Sequence, residues 1–178
     1  MFNELELKEK YDFIKRTTIC FLLRKNDKEE ITDVCLAMKK RGFGEGKWNG
    51  AGGKIGDREE IKDETAKEGA VREMMEEFKV QMINPKQVGK ILFETEGETK
   101  ECIISYIFVT EEWKGSPQET EEMKPKWFSV DEIPYDEMWV DDKEWFKILL
   151  NQKEFVAKYC FAQDDDSTLI SHELEVLD

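Results

Sequence analysis

A charged segment from about Asp63 to Phe78 has helical spacing and carries three glutamates on one side. Glu73, Glu76 and Glu77 stand at i, i+3 and i+4, which brings their side chains within about 5–6 Å of one another on a helix. Like charges so close lower stability unless a cation lies among them, and Mg²⁺ or Mn²⁺ is the natural candidate for carboxylate oxygens. Glutamate-rich helices are also common as solvated surfaces, so this string alone leaves both interpretations open. The apolar residues fall on another side of the helix, at Ala66, Ala70, Met74 and Met75.

A glycine-dense segment precedes this helix, with six glycines among the twelve residues from Gly42 to Gly53. It excludes an ordinary helix and predicts a loop whose backbone comes close to another group. Elsewhere, apolar and β-branched runs predict strands at 17–23, 31–38, 89–94, 102–109, 124–130, 154–162 and 169–176, and a second helix at 141–150. Polar turns join these strands into three hairpins, turning at 24–30, 95–101 and 163–168. The order predicts an α+β fold, with a mixed sheet and helices packed on it.

Charge restricts the partners of the chain. Its 41 acidic and 27 basic side chains give a net charge of −14 over 178 residues, which repels duplex nucleic acid and anionic membranes. A metal ion held by carboxylates would still let a polyanionic small molecule bind in one pocket. No apolar stretch approaches the roughly 20 residues of a membrane span, and the N-terminus lacks the plan of a signal peptide. We expect one soluble, cytoplasmic, monomeric domain over residues 1–178, with 1–15 as an N-terminal extension.

The cysteines and the single histidine do not indicate a catalytic or metal-binding role. Cys20, Cys35, Cys102 and Cys160 are widely spaced and form no CxxC pair, so we interpret them as reduced core residues rather than disulfides or a zinc site. His172 is the only histidine, which disfavours a histidine base or a multi-histidine metal site. Carboxylates must therefore carry any acid–base chemistry.

The carboxylate segment and the glycines before it form a longer pattern. It resembles the Nudix box, the signature of the Nudix hydrolase family, in which a glycine precedes a glutamate and then a run of the type Arg-Glu-apolar-x-Glu-Glu. The positions that match here are Gly53, Glu64, Arg72, Glu73, Met74, Glu76, Glu77 and Val80. The resemblance implies the α/β/α sandwich of that family, with a catalytic helix and a C-terminal helix packed on a mixed sheet.

The chain departs from the box at two places. The gap between Gly53 and Glu64 holds a charged insert, IGDREEIKDE (55–64), and Lys79 replaces the late glycine. A longer loop costs little entropy, so we expect the insert to bulge outward and the helix to survive. The late glycine usually closes the helix in a left-handed conformation that lysine adopts only with strain. We therefore expect the helix to end differently here.

The resemblance implies a metal-dependent hydrolase. Glu73, Glu76 and Glu77 would bind Mg²⁺, with Mn²⁺ as an alternative, and one of them would help to deprotonate the attacking water. Arg72 and Glu64 would pair to orient the helix. Further metal ligands implied by the family are the carbonyl of Gly53 and the side chain of Glu122.

The flanking segments indicate the substrate. MKKRGFGEGKWNGAGGK (38–54), EEMKPKWF (121–128) and MWVDD (138–142) are similar to a branch of the family that removes oxidised purine nucleotides. This similarity implies hydrolysis of 8-oxo-dGTP and 2-oxo-dATP to the monophosphate and pyrophosphate. Another purine or pyrimidine triphosphate, ADP-ribose, and a non-catalytic nucleotide-binding module remain alternatives.

The residue types suit a purine pocket. Trp139 and Phe43 offer flat faces for stacking, Phe93 can form a wall, and Asn49 supplies a donor and an acceptor for a base edge. Two further candidate ligand contacts are Lys39, which could reach a phosphate or the sugar, and Thr18. The alternative is structural: tryptophans can be ordinary core, and the glycines can merely build a turn.

Asp141 and Asp142 are the most informative pair. Adjacent carboxyls in an apolar site cannot both ionise cheaply, so one should keep its proton and donate a hydrogen bond while its neighbour accepts. In the family these aspartates read the base in this way, by exchanging protons. The alternative is that Asp141 caps the helix that follows.

Overall fold

The computed structural model describes residues 2–97, 100–163 and 165–177. Among these residues, eight strands form one mixed sheet and two short strands form a second. The helices are α1 (Glu4–Lys10), α2 (Ala66–Phe78) and α3 (Asp142–Leu150). The strands are β1 (Phe13–Lys25), β2 (Ile31–Lys39), β3 (Trp48–Asn49), β4 (Gln81–Ile83), β5 (Lys86–Thr95), β6 (Glu101–Thr110), β7 (Glu112–Lys114), β8 (Met123–Ser129), β9 (Glu154–Ala162) and β10 (Asp165–Leu177).

The large sheet has the strand order β10-β9-β5-β6-β1-β2-β3, and β8 also pairs with β2. β1 runs parallel to β6 and β5 runs parallel to β9, whereas the other neighbours are antiparallel. The three predicted hairpins are confirmed as β1–β2, β5–β6 and β9–β10. Positions 98 and 99 of the second predicted turn, and 164 of the third, lie outside the described residues.

Helices cover both faces of this sheet, which confirms the α+β sandwich. Each face has its own apolar cluster, because side chains alternate between the two faces along a strand. On one face the cluster includes Trp145, Phe146 and Leu149 of α3; on the other it includes Leu7 of α1, the adjacent Tyr11, and Ala70, Met74 and Phe78 of α2.

α2 begins three residues after the predicted start. Thr65 caps it: the Thr65 side chain accepts a hydrogen bond from the Glu68 backbone N–H, while the Glu68 side chain accepts from the Thr65 N–H. This reciprocal arrangement satisfies two backbone donors at the helix start. Asp63 therefore lies outside the helix.

The end of α2 corrects an expectation. Lys79 takes the left-handed conformation, with φ 60° and ψ 32°, so the helix closes as it would with glycine. The lysine N–H donates to the carbonyl of Met74, and its ammonium Nζ donates to the carbonyl of Glu76 at 3.1 Å. These bonds hold a conformation that costs a non-glycine residue roughly 1–2 kcal/mol. The prediction that the helix would end differently is wrong.

The insert bulges outward as expected. Its middle forms a single helical turn at Glu59–Ile61. Its two ends lie close together, because the Gly56 N–H donates to Glu64 Oε2 at 3.2 Å. The helix survives the insertion.

The N-terminal extension forms an element that the sequence did not predict. α1 is capped by Asn3, whose side chain accepts from the Leu5 N–H, and it buries Leu7 beneath the sheet. The short pair β4–β7 was also not predicted. No helix in the described ranges is long and apolar enough to cross a membrane.

Candidate functional site

Arg72 fixes α2 to the loop before it. Its Nε donates to Glu64 Oε1 at 2.7 Å, and its Nη2 donates to Glu64 Oε2 at 2.9 Å and to the Lys54 carbonyl at 2.9 Å. A planar guanidinium matches a carboxylate in this two-bond geometry. The pKa of Glu64 is lowered, chiefly by the hydrogen bond from Arg72. The pairing implied by the sequence resemblance is therefore present.

Glu73 is pressed between this arginine and a glycine. Arg72 Nη1 donates to Glu73 Oε1 at 2.6 Å, and a Cβ at Gly53 would stand 2.6 Å from Glu73 Cδ. No side chain other than hydrogen fits at position 53 without moving the carboxylate. Burial raises the pKa of Glu73 against the opposing effect of Arg72.

Glu77 joins the helix to the far side of the cavity. It accepts from the Gly52 N–H at 2.9 Å and from Lys39 Nζ at 3.1 Å. Lys39 also donates to Glu122 Oε2 at 3.2 Å, and Arg41 donates to Glu122 Oε1 at 2.7 Å. Lys39 thus lies between two carboxylates, and burial raises the pKa of Glu77 despite it.

Glu76 is the most exposed of the three helix glutamates, at 42% of its side chain. Arg72 lies 3.5 Å and Arg58, from the insert, 3.6 Å from its oxygens. Among the described residues, no three acidic, thiol or imidazole groups already converge as a metal cage. The donor set nevertheless fits a hard cation: Glu73, Glu76 and Glu77 offer oxygens on one helix face, two of them buried beside the glycine cradle.

A cavity of about 410 Å³ opens beside this carboxylate face. It is bounded by β1, β2, β3, β5, β6, the glycine-dense segment and the segment leading into α3. The structure brings all eight predicted substrate-binding residues to its walls, together with Gly53 and Glu77; the eight are Thr18, Lys39, Phe43, Asn49, Phe93, Trp139, Asp141 and Asp142. Glu73, Glu76 and Glu122 lie outside this lining.

Aromatic rings form one side of the cavity. Phe43, 75% exposed, stacks on Trp139 with ring centroids 4.9 Å apart and planes at 24°. Lys47 Nζ lies 5.0 Å from the Trp139 ring centroid and donates to the Met138 carbonyl at 3.3 Å. The backbone at Gly44 packs closely against the Trp139 indole. Glycine permits this contact, because a Cβ at position 44 would stand 3.0 Å from the indole.

Asp141 and Asp142 lie at the inner end of the cavity and are buried. Asp141 Oδ2 accepts from Trp145 Nε1 at 3.0 Å, and Asp142 Oδ2 accepts from the Trp139 N–H at 3.1 Å. Asp141 makes no side-chain cap to α3, so the capping alternative is wrong. Burial raises the pKa of Asp141 to about 6, and burial together with the charge of Asp141 raises the pKa of Asp142 well above its usual value.

Two polar groups on β1 and β3 complete the walls. Thr18 is 2% exposed, and its hydroxyl has no hydrogen-bond partner within the described chain. Asn49 Oδ1 accepts from the Gly50 N–H at 2.7 Å, which fixes the orientation of the amide toward the cavity it lines. A buried hydroxyl without a partner is disfavoured, so Thr18 suits contact with a ligand.

Sequence reasoning missed several residues near this site. Trp145 stands four residues after Asp141, a helical spacing that would have linked the two. Lys47 lies within the glycine-dense segment and carried no signal of its own. Tyr159, whose pKa is raised by burial and then by Asp141, comes from a distant strand, and nothing in the sequence pointed to it.

Comparisons with known proteins identify the family and several relatives of this chain. The family model for the NUDIX domain matches residues 14–149. The oxidized purine nucleoside triphosphate hydrolase of Mus musculus is 43% identical over 145 residues, which cover 82% of this chain and 88% of the mouse protein. The protein of the same name from Danio rerio is 41% identical over 142 residues, covering 80% of this chain and 86% of its own.

A solved structure supports the fold. The MutT protein from Bacillus halodurans superimposes with a TM-score of 0.75 and 25% identity, covering 90% of this chain and 97% of its own. Residues 2–13, which include α1, precede the part that matches the family model.

Proposed function

The chain belongs to the NUDIX family, and from that premise we propose that it hydrolyses oxidised purine nucleoside triphosphates to the monophosphate and pyrophosphate. The substrates are 8-oxo-dGTP and 2-oxo-dATP, and the biological role is removal of damaged nucleotides from the pool. The names of the mouse and zebrafish relatives support this assignment.

The buried pair Asp141–Asp142 is the observation that carries the proposal. Burial raises the pKa of Asp141 to about 6 and the pKa of Asp142 well above its usual value, so the two carboxyls resist ionising together, and we propose that they share one proton. The pair then offers one donor and one acceptor to the edge of a base. Oxidised guanine and oxidised adenine present different donors and acceptors, and a pair that exchanges its proton can bind either.

Hydrolases of this family use divalent cations such as Mg²⁺. We propose that Glu73, Glu76 and Glu77 hold Mg²⁺, with Mn²⁺ as a substitute, and that the Gly53 carbonyl and Glu122 are further ligands. When bound, the ion neutralises phosphate charge and lowers the pKa of a water molecule. The Gly53 carbonyl also accepts from the Thr18 N–H at 2.9 Å, so it would contribute its second lone pair.

The remaining residues act on position and charge. Arg72 and Glu64 hold α2 at the edge of the cavity, so that its carboxylates face the phosphates. The carboxylate of Glu73, Glu76 or Glu77 takes the proton of the attacking water. Lys39 binds a phosphate or the sugar, and Thr18 contacts the bound nucleotide.

At the base end, Phe43, Trp139 and Phe93 bind the purine faces and exclude water. Asn49 bonds a base edge beside the aspartate pair. This division gives the cavity a phosphate end at Glu77 and a base end at Asp142.

We further propose that residues 1–178 act as one monomeric domain in the cytoplasm, with 1–15 as an added N-terminal segment. Two apolar clusters account for most large apolar side chains in the described chain. Three buried thiols, Cys20, Cys35 and Cys102, are free, which suits a reducing compartment.

Product analysis tests the reaction. The protein is incubated with 8-oxo-dGTP and Mg²⁺, and the products are separated by anion-exchange chromatography. We expect the monophosphate and pyrophosphate in equal amounts. Release of the diphosphate and inorganic phosphate, or no release at all, would contradict the proposal.

A further inference from the structure

The charged insert is an ordered loop that presents one arginine to the carboxylate face of α2. Arg58 is the N-cap of its single helical turn, and the Arg58 carbonyl accepts from the Ile61 N–H at 3.0 Å. Gly56, at φ 64°, lies so close to the far side of the loop that a Cβ there would stand 2.9 Å from the Lys62 carbonyl oxygen. Ile55 is buried at the start of the loop. These contacts fix the backbone from which the Arg58 side chain extends.

The Arg58 guanidinium lies beside Glu76. Its Nη2 is 3.6 Å from Glu76 Oε2, while Arg72 Nη1 lies 3.5 Å from the other oxygen of this carboxylate. The two arginines differ, because Arg72 is largely buried and bonded to two further glutamates, whereas the Arg58 side chain is 56% exposed. Arg58 Nε also lies 3.8 Å from Asp57 Oδ1. Exposed ion pairs at such distances contribute little free energy, so another anion can take the place of Glu76.

Arg58 lies at the outer end of the carboxylate face. Glu77 lines the cavity and is buried, Glu76 lies outside the lining and is half-buried, and Arg58 contacts Glu76 from the insert. In the proposed function, the base fills the inner end of the cavity and the phosphate chain runs outward past Glu77 to the three glutamates. The terminal phosphate is the part of the nucleotide farthest from the base. It therefore comes closest to the side of Glu76 that Arg58 contacts.

Arg58 can exchange Glu76 for a phosphate. In the proposed function the oxygens of Glu76 bind a divalent cation, which cancels the negative charge that attracts the guanidinium. The phosphate chain brings negative charge to the same place, and a planar guanidinium can bind two phosphate oxygens through parallel hydrogen bonds. The protein carries a net charge of −14, so a cation beside the phosphates offsets a repulsive field.

We propose that Arg58 is a substrate-binding residue, which pairs with Glu76 in this structure and binds the terminal phosphate of a bound nucleoside triphosphate. This inference rests on the proposed function and deepens it, because it gives the insert a role at the phosphate end of the site. Arg58 transfers no proton and forms no covalent bond. It holds the part of the substrate that leaves as pyrophosphate.

The variant Arg58→Ala removes the guanidinium and keeps the backbone of the loop. We expect kcat/KM for 8-oxo-dGTP to fall about tenfold, chiefly through KM. The inhibition constant of pyrophosphate should rise about tenfold, because this product carries the phosphate that Arg58 binds. The inhibition constant of 8-oxo-dGMP, the other product, should stay unchanged.

Binding of Mn²⁺ to the nucleotide-free enzyme, followed by electron paramagnetic resonance, gives a readout that does not depend on turnover. Loss of a cation beside Glu76 removes a competitor for its oxygens, so the Kd for Mn²⁺ should fall about twofold in Arg58→Ala. A merely structural role of Arg58 predicts the reverse, because a disordered loop would loosen the carboxylate face and weaken Mn²⁺ binding.

Lys62→Ala is the matched control, because Lys62 lies in the same loop and pairs with Glu59 of its own turn at 2.9 Å. It should leave KM and the Mn²⁺ affinity unchanged. Arg58→Lys keeps the charge without the planar fork, and it should recover part of the loss. An unchanged KM and an unchanged pyrophosphate inhibition constant in Arg58→Ala would overturn the role of Arg58, as would equal losses in Lys62→Ala. Failure of the wild type to hydrolyse 8-oxo-dGTP would instead overturn the proposed function, and this inference with it.

Discussion

Arg72 and Glu64 are joined by two parallel hydrogen bonds, of 2.7 and 2.9 Å, at the point where the insert returns to α2. The insert therefore closes on itself before the helix begins, and its length does not disturb the carboxylate face. The same arginine reaches Glu73, so one side chain orders both the loop and the first glutamate. Neither departure from the Nudix box displaces this helix, which weakens the alternative of a non-catalytic module.

Glu64→Gln tests this anchor. Glutamine offers Arg72 one neutral acceptor in place of two carboxylate oxygens, so we expect kcat to fall at least about tenfold and the free energy of unfolding to drop by about 1–3 kcal/mol. Because Arg72 lowers the pKa of Glu64, the wild-type advantage should be present above the ordinary carboxyl pKa and disappear as pH falls below it. Glu59→Gln, on the exposed turn of the insert, should change both quantities little. Equal behaviour of the two variants would contradict the anchor.

Gly53→Ala tests the contact between the loop and the carboxylate face. The new Cβ would overlap Glu73, so the carboxylate must move. Because catalysis depends on the position of this carboxylate, the move should lower kcat by about a hundredfold. Gly46→Ala is the control: it has positive φ, at 82°, but a Cβ there meets nothing within 4 Å. It should lose stability and keep its activity. Turnover and urea unfolding measured for both variants separate the two effects.

Asp141→Asn tests the proton arrangement of the base site. In the wild type, kcat/KM should fall as pH drops through about 6, because Asp141 then becomes protonated and the pair loses its acceptor. The variant should lack this acid limb. A raised folded-state pKa also means that wild-type stability is greatest below the ordinary carboxyl pKa and declines as pH rises toward 6. The variant should therefore gain about 1–3 kcal/mol of unfolding free energy at pH 7. A persistent acid limb would point to another group.

Lys79→Gly tests the strained end of α2. Glycine adopts a φ of 60° without penalty, so the free energy of unfolding should rise by about 0.5–1.5 kcal/mol while activity stays within about twofold. Lys79→Ala removes the same side chain but keeps the strain, and it should show no such gain. Equal stability of the two variants would mean that the conformation costs little here.

The sequence predicted the site better than its surroundings. Glu64 through Glu77 lie in one contiguous motif that is visible in the sequence. Several cavity residues lie in segments of distinctive composition, namely the glycine-dense segment and MWVDD (138–142). The N-terminal contacts could not be predicted in this way. Glu94 of β5 accepts from Lys10, Tyr11 and, through an ion pair of 2.8 Å, Lys158, so the cluster joins the N-terminal segment, β5 and β9. Such a cluster exists only after the sheet has formed.

For the same reason, the sequence could not indicate which side chains from distant strands lie near the aspartate pair. Tyr159 lies beside Phe93, a wall of the cavity, only because β9 pairs with β5 in the folded sheet, and no local pattern marks it. The left-handed Lys79 was misjudged for a different reason: the rule that favours glycine describes a preference of about 1–2 kcal/mol, which neighbouring hydrogen bonds and packing can offset.

The most direct test of the proposed activity is the relative kcat/KM for 8-oxo-dGTP, 2-oxo-dATP, dGTP and ADP-ribose with Mg²⁺, measured by pyrophosphate release and, for ADP-ribose, by formation of AMP. We predict that both oxidised purines are preferred over dGTP by at least about tenfold, as expected for a site whose buried polar groups pair only with the right base. Glu76→Gln should abolish turnover of all of them. Equal rates for dGTP and 8-oxo-dGTP, or a preference for ADP-ribose, would contradict the assignment of this chain to oxidised purine triphosphates.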